Sequence, residues 1–73
     1  MQKMKYYATL TNNNDLQFDC NYFNSIKKIK EWSKDRNGTC DLTIHYVDEY
    51  GIDWTVPYGF YQVKNNRIYS YKL

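Results

Sequence analysis

His45 and Asp53 are the first residues to ask about chemistry. His45 is the single histidine of a 73-residue chain, and Asp53 lies one hairpin away. A histidine beside a carboxylate works as an acid–base unit when a nucleophile or a metal shares its pocket. An outward sheet face offers no such pocket, so the pair reads as a solvated strand histidine near a turn carboxylate. Asp41, Asp48, Glu49 and Asp53 gather around the same hairpin, where carboxylates serve turn geometry and edge solubility; they could equally meet a basic patch on a partner. Cys20 and Cys40 belong to no C-x-x-C and have no second Cys–His pair, so the common zinc spacings are missing. No catalytic, cofactor or metal site is read. Lys27, Lys30 and Lys34 recur at i, i+3 and i+7, with Phe23 beside them. They form either a phosphate-contacting stripe or a solvated helix face laced with Glu31 and Asp35. There is no glycine-rich phosphate loop and no RNA-recognition sheet motif. The remaining candidates are aromatic. Phe60, Tyr69 and Tyr71 recur near Lys64 and Arg67, and Tyr50 and Tyr58 sit at turns. Tyr and Arg are enriched where one protein grips another, and they also form ordinary cross-strand pairs.

These side chains must be positioned by strands and one helix. "KMKYYATL" alternates, with Met4, Tyr6, Ala8 and Leu10 on one side and Lys5, Tyr7 and Thr9 on the other. "TNNND" is a loop, because Asn and Asp tolerate left-handed backbone. "LQFDC" alternates again, with Leu16, Phe18 and Cys20 on one side, so the two runs form an antiparallel hairpin. The period then changes. Tyr22, Ile26, Ile29 and Ser33 make a stripe flanked by Trp32 and Arg36, which predicts an amphipathic helix from about residue 22 to about residue 36. Asn21 or Asn24 can cap its start and Gly38 can follow its end.

Period two returns in "TCDLTIHYV" and "IDWTV". A three-residue loop, Glu49-Tyr50-Gly51, pairs Asp48 with Ile52, Tyr46 with Trp54 and Ile44 with Val56. That register gathers the large apolar residues on one face, whereas a Val47–Ile52 pairing divides them between faces. Tyr6, Tyr46 and Trp54 are therefore expected under the helix. Pro57 and Gly59 make a turn. The last hairpin turns at Asn65-Asn66, pairing Val63 with Ile68 and Phe60 with Tyr71. Tyr61, Val63 and Ile68 share its inner side; Phe60, Gln62, Lys64, Arg67, Tyr69 and Tyr71 share the other. Lys64 and Arg67 become cross-strand neighbours, a mildly unfavourable like-charge pair. The fold class is α+β, with order ββαββββ: one antiparallel sheet with a single amphipathic helix on one face.

The chain, residues 1–73, is one compact domain. So short a chain buries a modest fraction of its unfolded surface. Nine Tyr, three Phe and two Trp offset that by burying large areas per residue. A net charge of +2 is too mild to announce nucleic acid and too positive for a mimic of DNA. "MQKMKYYATL" has no apolar run of signal-peptide length, and nothing approaches a membrane span. A cytoplasmic setting with reduced cysteines and no membrane partner is expected. Asn, Lys, Tyr and Ile, whose codons begin with A or T, supply thirty residues, as in genes of low-GC bacteria, their phages and mobile elements.

The helix "SIKKIKEWSKDRNGT" follows a short hairpin and leads into "CDLTIHYVDEYG" and a terminal meander. That layout resembles small phage-encoded proteins of the ββαβββ type, including some anti-CRISPR inhibitors. The resemblance is one of topology and spacing across most of the chain, and it fixes no functional residue. It implies steric blockade of a bacterial defence complex, in which lysines or tyrosines cover a nucleic-acid path. The expected function is a non-enzymatic protein-binding module, an inhibitor that occupies the surface of another protein or ribonucleoprotein complex. The alternative is a small nucleic-acid-binding protein that stacks bases on Phe60, Tyr69 and Tyr71 while Lys64, Arg67 and Lys72 touch phosphates.

Overall fold

The computed structural model describes residues 4–34 and 38–71. Strands β1 (Tyr6–Thr11) and β2 (Gln17–Phe23) precede the helix α1 (Ile26–Lys34), and β3 (Thr39–Asp48), β4 (Gly51–Ile52), β5 (Gly59–Lys64) and β6 (Arg67–Ser70) follow it. They form one six-stranded antiparallel sheet in the order β2-β1-β3-β5-β6, with β4 pairing β3 beyond the end of β5. The fold is α+β, with a single helix packed on one face of the sheet.

Alternation decides which residues the helix covers. Ala8 and Leu10 of β1, Cys40, Leu42 and Ile44 of β3, and Val63 of β5 all point to the helix side and are buried with Ile29 of α1. Ser33 lies on the buried side of the helix. It is fully buried, and its hydroxyl donates to the Lys30 carbonyl at 3.1 Å, so no polar group is stranded there.

The helix is shorter at its start than the periodicity predicts. Tyr22 and Phe23 belong to β2, and the cap is neither Asn21 nor Asn24 but Ser25, whose Oγ accepts from the Lys28 N–H at 3.4 Å. Phe23 does not flank the lysines; it packs on Trp32, ring centroids 5.1 Å apart. The expected helix end, with Asp35 and Arg36, falls outside the described residues. The helix reaches from β2 to β6 but leaves the end of the sheet at Tyr6 and Tyr46 uncovered, and tyrosines close it. Tyr58 sets its ring edge-on to both Tyr6 and Tyr46, at 5.7 and 5.8 Å. Tyr46, expected beneath the helix, is 43% exposed there. Tyr61 lies across Gly59, where an added Cβ would stand 2.7 Å from the Tyr61 hydroxyl oxygen.

The two later hairpins diverge. Asn65 and Asn66 turn with positive φ, 52° and 63°, and pair Val63 with Ile68 and Lys64 with Arg67, as the sequence predicts. The β3–β4 hairpin takes the register that the burial argument disfavours. Val47 pairs with Ile52 and Asp48 with Gly51 across a two-residue turn. The Asp48 carboxylate accepts from the Tyr50 N–H at 2.8 Å, and Gly51 takes φ +118°. One residue of slip reverses every side chain, so Trp54 faces away from the helix and is 64% exposed. Past Asp53, whose N–H donates to the Tyr46 carbonyl, the chain leaves the ladder. An Asp53–Thr55 turn replaces the expected strand, and Val56 is exposed rather than paired with Ile44.

The candidate interaction face

The face away from the helix is built in rows, because cross-strand partners in an antiparallel sheet share a side. The first row reads Tyr22, Tyr7, His45, Trp54 across β2, β1, β3 and the segment after β4. Neighbouring ring centroids stand 4.9, 6.4 and 4.8 Å apart, and Tyr7 also meets Trp54 edge-on at 5.9 Å. The second row reads Cys20, Thr9, Thr43, Phe60, with Tyr71 beyond, its N–H donating to the Phe60 carbonyl. The third is Thr11, Asp41, Gln62, Tyr69, and the fourth is Thr39, Lys64, Arg67. Rings thus occupy one end and one flank, with threonines between them.

The hairpin β5–β6 puts its side chains where the alternation predicts. Val63 is buried and Ile68 packs on the core, while Phe60, Tyr69 and Tyr71 are 37%, 48% and 45% exposed. The Tyr71 hydroxyl donates to Asp41 Oδ1 at 2.6 Å, which lays the ring across β5 toward β3. That hydrogen bond, aided by burial, pushes the Tyr71 phenol above its ordinary value. Phe60, Tyr71, Thr11, Asp41 and Thr43 frame a shallow groove of about 430 Å³.

The remaining predicted site residues are scattered. Tyr50, 91% exposed, stands at the tip of the β3–β4 hairpin, away from the rows. Tyr58 does not join them either; it lies on the helix side against Tyr6 and Tyr46. Lys27, Lys30 and Lys34 are exposed on the helix, and Lys30 and Lys34 meet Arg67 and Tyr69 in a cleft of about 350 Å³ between α1 and β6. Lys72 lies outside the described residues.

Sequence reasoning missed the first row. Tyr7 was assignable to the outer face by alternation, but Trp54 joins it only in the Val47–Ile52 register, and Tyr22 only as a strand residue. His45 is consequently not a solvated histidine. It is half-buried under Trp54, and its Nδ1 has no hydrogen-bond partner. Burial lowers its pKa, opposed by the carbonyl and carboxylate of Asp53. Asp53 in turn is held below its ordinary value by hydrogen bonds from Thr55, side chain first. Hydrogen bonding with Cys20, then burial, raises the Tyr7 phenol. These groups engage one another rather than converging on an open position for a reacting atom. Cys20 lies on the outer face of β2 and Cys40 on the inner face of β3, with β1 between them, so they are not joined. Among the described residues no group of three or more His, Cys, Asp or Glu is placed to hold a metal ion, and no helix is long and apolar enough to cross a membrane.

The chain matches no protein-family model, no curated protein and no solved structure.

Proposed function

We propose that this chain is a non-enzymatic protein-binding module that docks through the uncovered face of its sheet. The observation that carries the reading is the band of rings on that face: Tyr7, Tyr22 and Trp54 at one end, Phe60, Tyr69 and Tyr71 on the flank. Large aromatic residues left exposed in two groups on one face of so small a protein mark that face as an interaction site. Trp and Tyr give large contact area for few rotatable bonds. The Tyr71–Asp41 hydrogen bond and the edge-on packing of Tyr7 with Trp54 hold several of these rings in place before a partner arrives, which lowers the ordering cost of binding.

The specific form follows from the layout it resembles: a phage or mobile-element inhibitor, anti-CRISPR-like, that works in the cytoplasm by covering a host defence or nucleic-acid-processing complex. Occupation alone suffices for such a role and asks no chemistry of the face.

Capture from bacterial lysate with the tagged protein tests this. A co-purifying protein is expected, retained after nuclease treatment and lost from the Phe60→Ala/Tyr71→Ala variant while circular dichroism shows the fold intact. Retention by that variant would place the docking surface elsewhere.

A further inference from the structure

We infer that the cleft between α1 and β6 is a phosphate-binding site for single-stranded nucleic acid at the β6 edge of the sheet, where it shares Tyr69, but neither Phe60 nor Tyr71, with the docking face, and it does not depend on whether that face binds protein. Lys30 and Lys34, one helical turn apart, line it with Arg67 of β6, and Asn66, Ile68 and Tyr69 complete the wall. Lys64 pairs with Arg67 across the strands. Each element also carries a like-charge pair of its own, the i, i+4 lysines on α1 and the cross-strand Lys64–Arg67 on the hairpin, and each is mildly destabilising. An anion seated in the cleft relieves the Lys30–Lys34 repulsion and meets Arg67.

The chemistry of the wall selects the kind of anion. Flexible lysines and one guanidinium offer charge without a fixed pattern, which suits a repeating phosphate backbone. Tyr69, 48% exposed at the rim, adds a ring on which an unpaired base stacks. Cations beside an aromatic platform are the arrangement that recognises single strands, and duplex bases cannot reach such a ring.

The probe is fluorescein-labelled oligothymidylate, followed by fluorescence anisotropy across a salt series. Binding at low salt is expected, with a slope of log K against log salt of about −2 for three contacts at ~0.7 each. Lys30→Gln and Lys34→Gln should each shrink the slope by about 0.7, and the variant that also carries Arg67→Gln should lose binding. Tyr69→Ala should weaken binding roughly 5- to 150-fold while leaving the slope nearly unchanged. Phe60→Ala/Tyr71→Ala should leave oligonucleotide binding intact, which separates this site from the docking face. The inference is overturned if the wild-type protein ignores the oligonucleotide, or if the triple variant binds it equally. It is also overturned if duplex DNA or polyglutamate competes as well as the single strand, since bare charge would then be the whole of the attraction.

Discussion

The two faces of the sheet are made by the same strands and differ at every alternate residue. On the helix side, β1 and β3 present Ala8, Leu10, Cys40, Leu42 and Ile44, which exclude water almost completely. On the other side the same strands present Tyr7, Thr9, Asp41, Thr43 and His45, most of them only partly buried. Aliphatic residues fill the thin layer beneath a crossing helix because they interlock without polar atoms to satisfy. Rings and hydroxyls suit a face that packs only against itself: aromatic edges meet aromatic faces while hydroxyls stay in reach of water. One face therefore holds the fold together, and the other is left to spend its contacts elsewhere.

The comparison breaks or sharpens under five substitutions. The largest effect is expected from Ile44→Ala, which opens a cavity beneath the helix and should cost about 2–5 kcal/mol. Tyr69→Ala on the outer face should stay within about 0.5 kcal/mol. Urea midpoints compare them, and equal losses would mean that the outer face is as structural as the inner one. Next comes Gly59→Ala. The new Cβ would meet the Tyr61 ring at 2.9 Å, and displacing that ring should cost about 1–3 kcal/mol, read in the same denaturation series.

Trp54→Ala should cost less, about 0.5–1.5 kcal/mol, but it uncovers His45. The imidazole pKa should then climb back toward 6.5, as an NMR titration of its ring protons would show; an unmoved value would deny that Trp54 supplies the burial. The smallest effect is in pH. Because the folded pKa of His45 lies below 6.5, the unfolded chain takes up a proton there that the folded chain refuses. Stability should be undiminished above about pH 6.5 and decline as pH falls from there toward the folded value. His45→Gln should flatten that decline, leaving the acid loss due to Asp53, which begins only as pH drops through the carboxylate range near 3.8.

The β5–β6 hairpin was fully legible, since Asn65-Asn66 accepts positive φ and no competing register satisfies both the turn and the alternation. The β3–β4 hairpin was not. There, burial of Trp54 and Val56 argued for one register, and a two-residue turn closed by Asp48 and Gly51 produced the other. The assumption that large apolar residues gather under the helix failed because the Val47–Ile52 register turns Trp54 to the other face and the helix leaves the end of the sheet at Tyr46 uncovered. Tyr22 was similarly misplaced: its helical spacing from Ile26 is equally compatible with an outer-face strand position opposite Tyr7.

By itself the amino-acid order determined the element sequence, the turn at Asn65-Asn66 and the inner side of β1, β3 and β5, since each depends on local backbone preference and period. Only the tertiary structure decided which part of the sheet the helix covers, which side Trp54 takes, and that Lys30 and Lys34 come to rest beside Arg67. Those outcomes depend on the space that one packed element leaves to the next, and no stretch of chain encodes that space alone.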